Sequence, residues 1–117
     1  MSAHAQKLGN VLIPVDDLDK AVTFYSEVLG LKVKFRDGDR FAALDAGGVT
    51  IALAAPEEQV AGAATAPSYK VGDVAEAVRD LTAAGAEVVV PAEAGPHEIR
   101  AVLRDPSGNL FVLYSAL

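Results

Sequence analysis

The sequence predicts an α+β fold in which two tandem βαβββ modules, about residues 8–55 and 65–117, form a single domain over residues 1–117. One observation is a repeated phrase: DAGGVTIAL at 45–53 and DPSGNLFVL at 105–113 each place an Asp and a Gly before an alternating apolar strand. Another is a repeated helix with the same apolar stripe and a Gly at its end. Duplication of one structural unit explains both observations.

Each module begins with a strand that leads into an amphipathic helix. The alternating apolar residues 11–15 precede Asp17, and Asp73 stands at the equivalent point of the second module, where a carboxylate caps the first turn of a helix. Gly30 and Gly85 end the two helices in the left-handed conformation that glycine adopts easily. Apolar residues recur at i, i+3, i+4 and i+7, so each helix lays one face on a sheet: Leu18, Ala21, Val22 and Tyr25, then Val74, Ala77, Val78 and Leu81.

Three strands are predicted after each helix, and a small, flexible linker, AAPEEQVAGAATAP, joins the modules. A helix on one face of each small sheet leaves the other face uncovered. Two such curved sheets side by side predict a concave binding site. The six strands are predicted at residues 33–35, 40–45, 49–54, 88–91, 99–105 and 110–115.

Composition restricts the classes of partner. Sixteen acidic and ten basic residues give a net charge of -6, which repels phosphate backbones and anionic lipid, so we expect neither a nucleic acid nor a membrane partner. There is no cysteine, which excludes a disulfide or a cysteine-ligated zinc site. The opening MSAHAQK lacks an apolar stretch, and no later segment is long and apolar enough to span a membrane. The expected location is the cytoplasm.

Two segments carry a resemblance to a known family. VLIPVDDLDKAVTFYSEVLGLKV at 11–33, followed by RDPSGNLFVLYS at 104–115, resembles the vicinal oxygen chelate superfamily of glyoxalase I, bleomycin-resistance proteins and extradiol dioxygenases. The resemblance extends from about Leu8 to Tyr114. It implies a curved, barrel-like mixed sheet with the helices outside, a homodimer, and a small-molecule ligand in the cleft of the paired sheets.

The resemblance also implies where a metal ion would be bound in the family's enzymes. Carried over position by position, the ligands on the first strands fall at Asn10 and Ala66, and those on the last strands fall at Ala52 and Val112. These side chains do not form a metal site, so the expectation is no metal and no cofactor. A carboxylate-only site for magnesium or calcium remains an alternative, because acidic residues are plentiful.

Strand alternation selects the candidate site residues. The apolar residues of the first strands face the helices, so the intervening positions face the cleft. His97 and Glu98, in the Gly-Pro-rich loop, are catalytic candidates for acid–base chemistry, although a lone His in an exposed loop is more often simply solvated. Asn10 has the alternative role of a strand-end cap, and Tyr114 that of a packing residue. The ligand-binding candidates are Asn10, Phe41, Ser68, Arg100, Val112 and Tyr114.

These observations favour a metal-independent protein that binds and sequesters a small, partly aromatic molecule, similar to the bleomycin-resistance branch. The alternative is a lyase, isomerase or oxygenase of the glyoxalase and dioxygenase type with a non-standard site, using a displaced metal or an acid–base mechanism through His97 or Glu98. A third interpretation is a structural or regulatory subunit that pairs with another protein of the family. The sequence does not identify the ligand.

Overall fold

The computed structural model describes residues 4–117. The chain divides into two compact units: the first unit is residues 10–65, and the second unit is residues 66–117 together with the chain up to Gly9. The elements, in chain order, are β1 (Lys7–Pro14), α1 (Leu18–Thr23), a π-helical turn (Phe24–Val28), β2 (Lys32–Asp37), β3 (Phe41–Asp45), β4 (Thr50–Ala54), a 3-10 turn (Pro56–Glu58), β5 (Ala66–Lys70), α2 (Val74–Ala83), β6 (Glu87–Ala94), β7 (Glu98–Arg104) and β8 (Leu110–Ala116).

The strand–helix–three strands order occurs twice, as the sequence predicts, and the α+β fold class is confirmed. The strand order is β2-β3-β4-β1 in one half and β5-β8-β7-β6 in the other. β1 and β4 are parallel, as are β5 and β8, whereas β2–β3, β3–β4, β6–β7 and β7–β8 are antiparallel pairs. Each half therefore combines parallel and antiparallel pairs.

The two helices begin where the sequence predicts. Asp17 accepts a hydrogen bond from the backbone N–H of Lys20 at 3.1 Å, and Asp73 accepts one from Glu76 at 3.0 Å. These bonds satisfy N–H groups that a helix leaves free at its first turn. The first helix then departs from the prediction of one regular helix, because α1 ends at Thr23 and continues as the π-helical turn.

Each helix covers one face of its own sheet. In the first unit the helix stripe packs on a core that includes Ala42, Leu44 and Leu53. In the second unit α2 packs on a core from every strand of that sheet: Tyr69, Val71, Ala92, Ile99, Ala101, Leu103, Phe111 and Leu113. The opposite faces carry the alternate residues of the same strands.

The linker has contacts of its own in the structure. The side-chain nitrogen of Gln59 donates to the backbone oxygens of Val15 at 3.0 Å and Ala54 at 3.1 Å. Arg40 pairs with Glu58 at 2.5 Å. The linker is therefore tied to the first unit. Among residues 4–117, no helix has the length and apolar content required to span a bilayer.

Candidate functional site

The face of the second unit that points away from α2 carries a row of polar side chains, which we call the polar row. Tyr69 and Leu113 pack against α2, so their neighbours Lys70 and Tyr114 face the other way. Strand register places one member of the row on each of β5, β8, β7 and β6: Lys70, Tyr114, Arg100 and Glu93.

A second row lies two residues along the same strands, and we call it the apolar row. Val112 is 1% exposed, Val102 2% and Ser68 4%, so most of this row is already shielded from solvent beside the polar row. An apolar surface next to a few polar groups is typical of small-molecule sites. The members of the apolar row are Ser68, Val112, Val102 and Val90.

Tyr114 is held in place by a close approach to Gly9. A methyl group added at Gly9 would lie 2.7 Å from two carbons of the Tyr114 ring and closer still to its hydroxyl oxygen. The glycine therefore leaves the space that the ring occupies. The sequence predicts Tyr114 as a ligand contact but contains no signal for Gly9, because the contact depends on two strands far apart in the chain. Burial raises the pKa of the Tyr114 phenol, and the charge of Glu98 raises it further.

Glu98 lies on this face and has a raised carboxyl pKa. It is half-buried at the start of β7, and this burial raises the pKa of its carboxyl group, while the charges of Arg100 and His97 act in the opposite direction. His97 is exposed in the preceding turn. The structure thus places Glu98 within electrostatic range of both Arg100 and Tyr114.

Arg100 is half-buried and has its guanidinium group beside the turn that joins β6 to β7. A Cβ atom at Gly95 would lie 3.6 Å from one of its terminal nitrogens, and the turn is closed by a 2.7 Å hydrogen bond from Gly95 N–H to Glu98 C=O. Within residues 4–117, no carboxylate forms a salt bridge with Arg100. Its charge therefore remains available to a ligand.

The structure does not place all six predicted ligand contacts in one unit. Ser68, Arg100, Val112 and Tyr114 share the face described above, whereas Asn10 and Phe41 belong to the first unit. Phe41 is half-buried opposite Ala54. The side-chain oxygen of Asn10 is buried and has no hydrogen-bond partner in the described part of the chain. Such an acceptor is energetically costly unless a donor reaches it.

The residues at the family's metal-ligand positions do not fit a metal ion. Ala52, Ala66 and Val112 offer no donor atom and are at most 1% exposed, which leaves the amide of Asn10 alone among the four. Divalent metals require several oxygen, nitrogen or sulfur ligands. Over residues 4–117, no group of three His, Cys, Asp or Glu side chains is close enough to share an ion.

The first unit contains a small cavity under the linker. Its volume is about 10 Å³, enough for about one water molecule but not for an organic ligand. It is lined by Leu12, Pro14, Ala54 and linker residues from Glu58 to Ala64.

Comparisons with known proteins agree with this architecture. The family model of the Glyoxalase/Bleomycin resistance protein/Dioxygenase superfamily matches residues 7–113. An uncharacterized protein of Mycolicibacterium smegmatis is 40% identical over 117 residues, covering 100% of this chain and 98% of the relative.

Solved structures of low sequence identity share the fold. A superfamily member from Vibrio splendidus has a TM-score of 0.67 at 21% identity, covering 91% of this chain and 96% of the other. The methylmalonyl-CoA epimerase of Mycobacterium tuberculosis has a TM-score of 0.71 at 24% identity, covering 97% and 89%. The chain therefore belongs to the Glyoxalase/Bleomycin resistance protein/Dioxygenase superfamily.

Proposed function

We propose that the protein binds and sequesters a small, partly aromatic molecule without a metal ion, at the polar row of the second unit. The observation that carries the proposal is the Tyr114 ring, which packs on Gly9 next to the apolar row. An aromatic ring offers a large contact area at little entropic cost, because only two torsion angles must be fixed. A planar ligand can stack on Tyr114 within the polar row.

The test is a binding measurement on the chelated protein with a panel of aromatic antibiotics and metabolites. We expect saturable binding of at least one compound, and Tyr114→Ala should weaken it by about tenfold, the loss of one stacking contact. Phe24→Ala is the matched control, because Phe24 is an exposed aromatic residue of the first unit. No binding across the panel, or equal losses in both variants, would contradict the proposal.

Metal independence has its own test in thermal unfolding. A metal at a hundredfold excess over its dissociation constant would add about 2.7 kcal/mol, which raises the midpoint by several degrees in a domain of this size. We expect no shift with nickel, zinc, iron, manganese, magnesium or calcium, and none after chelation. A clear shift with any of them would replace the proposal with a metal-dependent one.

A second candidate, an enzyme that moves a proton, is favoured by Glu98. A half-buried carboxyl group of raised pKa beside Arg100 and Tyr114 is a common arrangement for a general acid or base. As a carboxylate, Glu98 would take a proton from a carbon of the ligand and return it to the same or a neighbouring carbon, which is an isomerisation with no net change of atoms. An epimerase is among the proteins that share this fold.

Deuterium exchange separates this candidate from simple binding. A ligand found in the panel is incubated with the protein in deuterium oxide, and its carbon-bound hydrogen is followed by NMR. Enzymatic action predicts exchange that Glu98→Gln abolishes while ligand affinity is kept, and His97→Ala tests the exposed histidine in the same way. If the wild type causes no exchange into any bound ligand, the enzyme candidate is wrong.

A further inference from the structure

Two cations flank Tyr114 in the polar row. Lys70 lies beside it on β5, and Arg100 lies beside it on β7. Both side chains are half-buried, and in the described residues neither takes part in a salt bridge. In a chain with six more acidic than basic residues, unpaired and partly buried cations are unexpected.

Three of the other arginines form salt bridges with carboxylates. Arg36 pairs with Asp19, Arg40 with Glu58, and Arg104 with Glu87. Arg104 is on the same strand as Arg100, and alternation places it on the same face. Arg79, on α2, also forms no salt bridge within residues 4–117, but it is exposed, so Arg100 differs in being half-buried without one.

We propose that the ligand of this face is a planar aromatic monocarboxylate, whose ring stacks on Tyr114 and whose carboxylate is bound by Arg100. The inference rests on the proposed function and specifies the chemical class of its ligand. The planar guanidinium group donates two parallel hydrogen bonds to a carboxylate, and partial burial strengthens them. Lys70 lies on the other side of Tyr114 and adds positive potential to the polar row.

The acidic neighbours restrict the charge of the ligand. Glu93 is next to Arg100 in the polar row, and Glu98 is close enough to interact with Arg100 electrostatically. Two carboxylates near two cations leave little net positive charge, which disfavours a phosphate dianion. A single carboxylate bound through directed hydrogen bonds suits the site better.

The test compares two probes of equal shape, 2-naphthoate and 2-naphthamide, by fluorescence titration of the chelated protein. We expect the wild type to bind 2-naphthoate about tenfold or more tightly than the amide, because charge-assisted hydrogen bonds are about twice as strong as neutral ones. Arg100→Gln should bring this ratio close to one while affinity for the amide changes by less than about twofold. Arg104→Gln removes the same charge from a paired arginine on the same strand and should preserve the ratio.

The outcomes separate this inference from the proposed function. Equal affinity for both probes in the wild type would overturn the carboxylate inference and leave aromatic binding intact. A ratio that survives Arg100→Gln, or falls equally in Arg104→Gln, would also overturn it. If neither probe binds at millimolar concentration, the inference is wrong, and the compound panel then decides the proposed function separately. Unchanged circular dichroism and melting of each variant exclude unfolding as the cause.

Discussion

At the scale of single residues, Gly9 is the position where one added methyl group would change the site most. The space for its Cβ is already filled by the Tyr114 ring. Gly9→Ala must therefore displace the ring, at a cost of about 1–3 kcal/mol typical of overpacking. We expect a lower melting temperature and weaker binding of aromatic probes, measured by thermal denaturation and fluorescence titration.

Two further variants identify the cause of this effect. Gly72→Ala is the matched control, because the nearest atom to a Cβ there is the Gln6 side chain at 3.7 Å. In a Tyr114→Ala background the clash at Gly9 is absent, so adding Gly9→Ala should cost much less than it does in the wild type. If the two changes are instead additive, Gly9 does not act through the Tyr114 ring.

Glu98 gives a prediction for the pH dependence of stability. Burial raises its carboxyl pKa in the folded protein above the ordinary value of 4.5, so the folded state holds the proton to higher pH than the unfolded chain. This contribution to stability is complete below pH 4.5 and is lost as the pH rises through the raised pKa. Glu98→Gln lacks the contribution.

The melting temperature of Glu98→Gln, relative to the wild type, should therefore rise as the pH increases above 4.5. Glu93→Gln removes one charge from an exposed member of the same row and is the control for net charge. Thermal unfolding between pH 4 and 8 measures both differences. A Glu98→Gln difference that stays constant or falls with pH would contradict the prediction.

Individual side chains show what the sequence could predict about the site. Alternation along β8 places Tyr114 on the face opposite to Phe111 and Leu113, and these two residues pack in the core that α2 covers. Strand alternation that places Ser68 on this face also places Lys70 there, so the position of Lys70 could be predicted from the sequence. The role of Gly9 could not be predicted from the sequence, because it depends on contact with the Tyr114 ring on another strand. Asn10 and Phe41 fall in a different unit from the other candidates, as the predicted module boundaries imply.

At the scale of elements, the duplicated phrase corresponds to two turns with the same chemistry. Asp45 accepts hydrogen bonds from the backbone N–H groups of Gly47 and Gly48. Asp105 accepts them from Ser107 and Asn109, both at 2.9 Å. In each turn these bonds lower the pKa of the aspartate, led by Gly48 at Asp45 and by Asn109 at Asp105. The repeated Asp is thus a turn-forming residue of each module.

Removal of this aspartate should destabilise the turn that leads into β8. Asp105→Ala loses the acceptor, and we expect a melting temperature a few degrees lower at pH 7. Because the folded pKa is lowered, the contribution of the charge is present above the ordinary value of 3.8 and is lost as the pH falls through the folded pKa. The difference between wild type and Asp105→Ala should therefore shrink below pH 3.8.

Asp105→Asn is the matched variant for this turn. Its amide oxygen can still accept backbone hydrogen bonds, so its loss of stability at pH 7 should be smaller than that of Asp105→Ala. Calorimetry at pH 7 and pH 3 gives all the values required. Equal melting temperatures for wild type and Asp105→Ala at pH 7 would mean that the turn does not depend on the carboxylate.

Elements differ in how far sequence determines them. The helix starts at Asp17 and Asp73 are local, because a cap needs only a side chain and N–H groups within three residues. The π-helical turn after Thr23 has no such local signal and interrupts a stripe that reads as one helix. The contacts of Gln59 in the linker depend on two backbone oxygens of the first unit, one of them 44 residues away in sequence. Composition alone therefore predicted only a flexible segment.

At the scale of the whole molecule, the internal duplication made the architecture predictable from sequence. The two copies have the same strand and helix pattern, so the elements predicted in one copy support those predicted in the other. The residues of the site are less alike between the copies. Val112 and Tyr114 on the last strand of the second module have Ala52 and Ala54 as counterparts in the first. Duplication therefore identifies the fold and not the ligand.

Exposed apolar side chains of the first unit predict self-association of the protein. The resemblance to the superfamily implies a homodimer, and four large apolar side chains of the first unit are more than half exposed: Phe24 at 52%, Val28 at 73%, Leu29 at 57% and Phe35 at 58%. Exposed apolar groups of this size in one unit favour association, because a second copy would remove them from water. We expect sedimentation equilibrium at micromolar concentration to give twice the chain mass of 12.1 kDa. Val28→Asp replaces the most exposed of these side chains with a charge and should shift the equilibrium towards the monomer, whereas Val89→Asp in β6 should not. A monomeric wild type would contradict the prediction, and equal behaviour of the two variants would assign the dimer to another surface.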